Sequence, residues 1–324
     1  MNPLISVIIP TYKRPHYLRQ LLNSLRDQSY ENWECIVVDD GKNNDTEILV
    51  SSFAKTDNRF SYYKRPENHK KGGNGARNYG LSKSKGEWVQ WFDDDDIMLK
   101  DYLLNRIVGI DQNTCLSYCT GFYTNQELNN RRLIEVFDSN NLYKDYAIWN
   151  LKLLTPSVLF KKSFLLEKNL VFNENILRGQ ETEFFCRALY NLDRLKSKFS
   201  SEGLFLYRQH SKTKTNSNHL SYRPNFTPST IKIYIDNLKR AIELKDSELI
   251  RLFYSRCVAL WFRCQRYKDQ NHRNLLKSKF LKIIGENYPY LKWRIILVFY
   301  FSEITGTAST KLSSYLKLVI NEYT

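Results

Sequence analysis

Short β-branched apolar runs alternate with amphipathic stretches through the first hundred residues. Residues 4–9 (LISVII) are a β-branched run of the type a buried strand needs. Pro15 then opens a segment with Leu18, Leu21, Leu22 and Leu25 at helical spacing. Residues 35–38 predict a second strand, 48–53 lie in a second helical pattern, and 60–63 are a weaker third strand. Residues 76–84 look helical and 88–92 give a fourth strand. Strand and helix repeated in this order predict an α/β fold, a mostly parallel sheet with helices on both faces. Right-handed crossovers would gather the segments that follow the strands at one sheet edge. Those segments are Pro10-Thr11-Tyr12, Asp39-Asp40-Gly41, the glycine-rich stretch 70–78, and the four aspartates 93–96.

Further along, residues 117–123, 157–160 and 204–207 read as strands and 182–190 as a helix. Residues 211–230 are polar and carry Pro224 and Pro228, which suits a boundary. Beyond it the pattern is helical, with Leu249, Leu252, Phe253, Cys257, Leu260, Trp261 and Cys264 on one face. The expected organisation is a first domain over residues 1–215, divided near residue 110, and a helical one over 225–324.

Composition narrows the classes. With 42 % hydrophobic and 26 % charged residues in 324, the chain is globular and not disordered. Its longest apolar run, residues 295–301, is far short of the roughly twenty residues a spanning helix needs. The N-terminal residues lack the order of a secretory signal. Six cysteines without a CxxC pair read as reduced core residues, Cys115, Cys119, Cys257 and Cys264 among them, and lead to an expectation of the cytoplasm. The net charge is +15, and residues 230–324 hold 17 basic against 8 acidic side chains. Such an excess suits nucleic acid, an anionic membrane or a phosphorylated small molecule.

Four consecutive aspartates after a buried strand repel one another unless a cation compensates, and Mg²⁺ or Mn²⁺ is the usual one. Helix capping near Leu99 is the plainer role for one or two of them. Asp40 is placed either to accept hydrogen bonds from a base or ribose or simply to turn the chain. The stretch 70–78 offers three glycines with Lys70, Lys71 and Arg77, as a flexible loop or a phosphate site.

In combination these segments are specific. The run from Ser6 through SVIIPTYKRPHYLRQLLNSL and IVVDDG, then GARN, then GEWVQWFDDDD, resembles the family 2 glycosyltransferases of GT-A fold. The resemblance continues more loosely through TPSVLF, RGQETEF and YRQHSKT. It implies an inverting transferase with a nucleotide-sugar donor, Mn²⁺ or Mg²⁺, and a saccharide or lipid-linked acceptor in bacterial surface polysaccharide synthesis. It places Pro10, Thr11, Tyr12, Asp40, Arg77, Asp93 and Asp94 at the nucleotide sugar and Asp95 on the metal. It also sets residues 1–110 as the nucleotide-binding half and 111–215 as the acceptor half. The family's base sits in a Glu-Asp pair; here Gln180 and Glu181 stand in that pair's place, so Glu181 takes the role. His210 matches a position near the diphosphate or metal, where a structural role is the alternative.

Two rival classes share features. A sugar nucleotidyltransferase would need a glycine-rich loop after the first strand, where Pro10-Thr11-Tyr12-Lys13-Arg14 stands. A nucleic-acid binder would use the basic charge and the 14 % aromatics but gains nothing from clustered aspartates. No nucleic-acid partner is therefore expected. The basic C-terminal region, with Trp261, Phe262, Trp293 and Phe299 on its apolar faces, either packs on the first domain or also rests on an anionic membrane surface.

Overall fold

A computed structural model describes residues 2–41, 44–209 and 222–324. The first hundred residues build β1 (Ile5–Thr11), α1 (Pro15–Arg26), β2 (Trp33–Asp39), α2 (Asn44–Ala54), β3 (Phe60–Lys64), α3 (Gly73–Lys83) and β4 (Trp88–Trp91). The strands lie in the order β3-β2-β1-β4, all parallel. Every residue of β1 is buried, because this central strand is covered on both faces. Leu18, Leu21, Leu22 and Leu25 turn one face of α1 into the same core, and Pro15 opens the helix where no backbone donor is needed.

The chain continues through β5 (Ile97–Met98), α4 (Tyr102–Ile107), β6 (Leu116–Thr124), β7 (Arg132–Leu133), α5 (Leu142–Ala147), β8 (Val158–Lys161), α6 (Lys162–Glu167), α7 (Gln180–Tyr190) and β9 (Ser197–Arg208). Among the described residues nine strands form one sheet, and β8 joins the halves by pairing antiparallel to both β4 and β6. Strand β9 runs parallel to β6, and β5 caps it antiparallel. The parallel expectation thus describes β1–β4, while the sheet as a whole is mixed. Strand β9 begins seven residues before the predicted 204–207 run. Its first half is polar because the two-residue β5 leaves that stretch without a neighbour on one side.

Glycine is required inside α3. A Cβ on Gly80 would fall well inside van der Waals contact with Ile8 Cγ2, a β-branched methyl at the centre of β1. Alanine in a helix normally stabilises by about 0.5–1 kcal/mol over glycine. Overpacking a rigid core costs about 1–3 kcal/mol and wins here. Gly80→Ala is expected to lower the urea midpoint, with a net loss of about 1–2 kcal/mol; an unchanged or raised midpoint would show that β1 yields.

The chain divides into two compact units, Met1–Asn175 with Glu183–His219, and Ile176–Thr182 with Leu220–Thr324. The second is helical: α8 (Thr227–Glu243), α9 (Ser247–Arg266), α10 (Gln270–Asn287), α11 (Pro289–Thr305) and α12 (Thr310–Val319). Side chains of Asp246, Asp269 and Ser309 accept from backbone N–H groups at the starts of α9, α10 and α12, which fixes where each helix begins. The predicted face of α9 is buried, with Leu252 half-buried at its border. Trp261 stacks on Phe299 of α11 at 3.7 Å, and Phe262 packs edge-on against both. Trp293 departs from that group: it points outward and is 65 % exposed. The segment 176–182 belongs to this unit through Leu177, whose N–H donates to Ser229 Oγ at 3.0 Å.

Candidate active site

The register of the parallel strands decides what meets at their carboxyl ends. Thr11 lies opposite Asp39, and the Asp40 N–H donates to the Thr11 carbonyl at 3.0 Å. After β4 the chain turns sharply, with the Asp96 N–H donating to the Asp93 carbonyl at 3.2 Å. Thr11 Oγ1 donates to Asp94 Oδ2 at 2.6 Å, fixing this turn against the end of β1. None of the four aspartates caps a helix, contrary to the capping expectation. Residues 97–98 form β5 instead, and α4 starts after Asp101.

Arginines supply the countercharge. Arg14 reaches across with Nη2 2.6 Å from Asp94 Oδ1 and Nη1 2.6 Å from Asp95 Oδ2. Arg77 Nη2 donates to Asp93 Oδ1 at 2.6 Å. The buried Arg208 closes the turn from below. Its backbone N–H donates to Asp96 Oδ1 at 2.9 Å, its Nε to the Asp95 carbonyl at 2.8 Å, and its Nη2 to Gln20 at 2.6 Å. Burial pushes the Asp94 carboxyl up to about 7, against the pull of Arg14 and the Thr11 hydrogen bond. Burial also opposes the charge on Arg14, yet Asp94, Asp95 and Asp93 together raise its pKa. The Asp95 side chain is 15 % exposed and that of Asp93 27 %, whereas Asp94 is fully buried.

A second group faces the nucleotide side of the prediction. The Tyr12 ring is 45 % exposed and has two ammonium groups near it, Lys13 Nζ at 5.6 Å and Lys71 Nζ at 5.8 Å from its centroid. Lys13 adopts a left-handed backbone (φ 54°), a strained geometry common in ligand loops. Asp40 pairs with Arg65 through Oδ1 and accepts from the Gly72 N–H at 2.9 Å through Oδ2. It therefore anchors the glycine loop at a residue whose φ of 122° favours glycine. Glu174 locks the same loop: it lies 2.7 Å from His69 Nδ1 and accepts from Lys70 N–H at 2.6 Å and Asn78 at 2.9 Å. Arg77 is buried under this loop, 5.2 Å over the Phe172 ring, and its Nε finds no partner among the described residues.

Pro10 is buried within β1 as backbone support for Thr11 and Tyr12. The two carboxylates of α7 differ. Glu183 is buried and held by Arg187 Nη2 at 2.9 Å and Nε at 3.1 Å, whereas Glu181 is half-buried near the helix start. His210 lies outside the described residues. Arg14, Arg65, Arg208 and Glu174 carry no sequence signal of their own as site residues, although Arg14 and Arg208 stand inside the quoted motifs.

The model of glycosyl transferase family 2 matches residues 6–178, more than half of the chain. The chain belongs to this family. A relative in Campylobacter jejuni, named GalNAc(5)-diNAcBac-PP-undecaprenol β-1,3-glucosyltransferase, is 28 % identical over 290 residues, covering 87 % of this chain and 90 % of that protein. A putative teichuronic acid biosynthesis glycosyltransferase of Bacillus subtilis, TuaG, is 33 % identical over 121 residues, 37 % of this chain and 47 % of its own length. Among solved structures, S. aureus TarS 1–349 in complex with UDP-GlcNAc superposes with a TM-score of 0.68 at 19 % identity, over 98 % of this chain and 91 % of that one. That likeness shows a shared fold, the GT-A fold that the motifs implied.

In this glycosyltransferase the donor set fits a divalent ion held jointly with a ligand. Among the described residues no group of three or more His, Cys, Asp or Glu forms a closed cage. A hard cation bound alongside a diphosphate needs only one or two protein carboxylates. Asp95 offers one at the tip of a turn, already presented to a cationic group.

Proposed function

We propose that this family 2 glycosyltransferase moves a sugar from a UDP-linked donor to a lipid-linked saccharide, inverting the anomeric centre, in bacterial surface polysaccharide synthesis. The observation that carries this reading is the convergence of Tyr12, Lys13, Lys71, Arg77 and the aspartate turn on the carboxyl edge of β1, β2 and β4. An exposed aromatic ring flanked by ammonium groups suits a base and its phosphates. Arg77, buried with an unsatisfied Nε, suits a further acceptor brought by the nucleotide. The TarS complex with UDP-GlcNAc supports a uridine donor, and the undecaprenol-linked substrate in the Campylobacter relative's name supports the acceptor class.

In the proposed step Glu181 accepts the proton of an acceptor hydroxyl. The oxygen forms a bond to the anomeric carbon as the bond to the nucleoside diphosphate breaks on the opposite face. Mn²⁺ or Mg²⁺ on Asp95 would supply charge neutralisation for the departing diphosphate. Arg14 keeps Asp94 and Asp95 in place, and Arg77 holds Asp93. Asp40 acts through the glycine loop it anchors, and His210 through its place in the YRQHSKT segment. We place the enzyme at the cytoplasmic side of a membrane as a peripheral protein. Two features support this: the basic C-terminal region, and the absence among the described residues of a helix long and apolar enough to cross.

A panel of nucleotide sugars tests the donor. One UDP-sugar is expected to raise the melting temperature with Mn²⁺ and not with EDTA. Arg77→Ala, less stable without ligand because it loses the buried pair with Asp93, should lose most of that rise measured from its own ligand-free melting temperature. A panel in which no nucleotide sugar stabilises the protein would overturn the donor assignment.

A further inference from the structure

Helix α11 is apolar on both sides. Leu291, Ile295 and Phe299 recur every fourth residue and are buried. On the opposite side Tyr290, Trp293, Leu297, Tyr300, Phe301 and Ile304 recur at three- and four-residue intervals and stay outside, from 57 % exposed at Phe301 to 79 % at Tyr290. At 100° per residue these six fall within an arc of about 100° and run for about 21 Å along the axis. None of the helix's charged residues shares that arc. Arg294 flanks it on one side, paired with Glu322 at 2.6 Å. Lys292 and Glu303 flank it on the other, Glu303 paired with Lys277 at 2.9 Å and Arg273 at 3.7 Å. A helix on the surface of a globular unit ordinarily turns polar residues outward. This one does the reverse.

We infer that the outer face of α11 is an interfacial membrane-binding surface that takes an anionic lipid bilayer. The face is too short to span a bilayer and has the length of a helix lying in its plane. Its tryptophan and two tyrosines are the residues that settle at the boundary between headgroups and acyl chains. The charge of this region as a whole complements anionic headgroups: residues 230–324 hold 17 basic and 8 acidic side chains. Four of those acids, Asp236, Asp269, Glu303 and Glu322, are already paired within the unit. Arg266, Lys279, Lys282 and Lys311 are exposed. A second copy of the chain would bring the same positive excess to the same face, and like charges oppose that association.

This surface rests on the peripheral-membrane part of the reading above, but its test uses no sugar, so a wrong donor or acceptor leaves the result unchanged. The full chain is sedimented with phosphatidylcholine vesicles, with and without phosphatidylglycerol, at low and high salt. Binding is expected with the anionic vesicles at low salt and is expected to weaken as salt screens the basic residues. The triple variant Trp293→Ser, Leu297→Ser, Phe301→Ser changes only outward positions and should keep its circular dichroism while binding at least about tenfold less. Should that variant misfold, the blue shift of tryptophan emission on vesicles, absent in Trp293→Phe, reads the same contact. Wild-type protein left in the supernatant with anionic vesicles at low salt would overturn the inference. So would a folded triple variant that binds like wild type, or self-association abolished by that variant in a protein that ignores vesicles.

Discussion

Replacing Asp95 by asparagine is expected to abolish sugar transfer, by at least about 10³-fold, while the protein keeps its fold. The substitution preserves shape and removes charge. A neutral amide is a poor ligand for a hard cation, so the site would lose the protein's share of the metal. The structural cost is small because the pair with Arg14 is partly exposed, and pairs of that kind contribute at most about 1 kcal/mol. Arg14 keeps its second partner, Asp94, which is fully buried and also bonded to Thr11, so the turn after β4 stays anchored. Loss of activity with an unchanged melting temperature is therefore the expected signature. EDTA should reproduce it in the wild type, with recovery on adding Mn²⁺ or Mg²⁺. Undiminished transfer by the variant, or by wild type in EDTA, would remove Asp95 from the metal and leave its pairing with Arg14 as its role.

What the sequence revealed and what it hid divide along physical lines. Strands β1 and β2 are legible because a strand covered on both faces must be almost wholly apolar, and residues 4–9, with Ser6 the one polar member, and 35–38 satisfy that. The first half of β9 is hidden because a strand with one open side follows no such rule. The aspartate turn is conspicuous, since four adjacent carboxylates demand compensation, but the source of that compensation is not. Arg14 lies 81 residues before Asp95, and Arg208 lies 113 residues after it. Only the sheet order, with β1 beside β4 and β9 two strands beyond β8, brings them together. The same limit applies to Asp40, whose oxygens are taken by Arg65 and Gly72 through a loop the strand pattern leaves undefined. In the helical unit, composition marks Trp261 and Trp293 alike, and only packing sends one inward and the other out.

Glu181→Gln is expected to lower kcat by about 10²-fold or more with little change in donor affinity. A general base acts on the acceptor hydroxyl and leaves the nucleotide contacts proposed for Tyr12 and Arg77 alone, so the donor-induced rise in melting temperature should persist. The neighbouring carboxylate provides the control. Glu181 and Glu183 sit two positions apart on α7, about 200° around the helix, and cannot face the same way. Glu183 is buried and gripped by Nε and Nη2 of Arg187, so its charge is committed to that pair. Glu183→Gln should then show its effect in stability, as a weakened pair with Arg187, and leave kcat within a few-fold. The two variants thus separate cleanly: one slow and stable, the other active and less stable. If Glu183→Gln is the inactive protein and Glu181→Gln turns over normally, the base lies two residues further along α7, and the motif has been read in the wrong register.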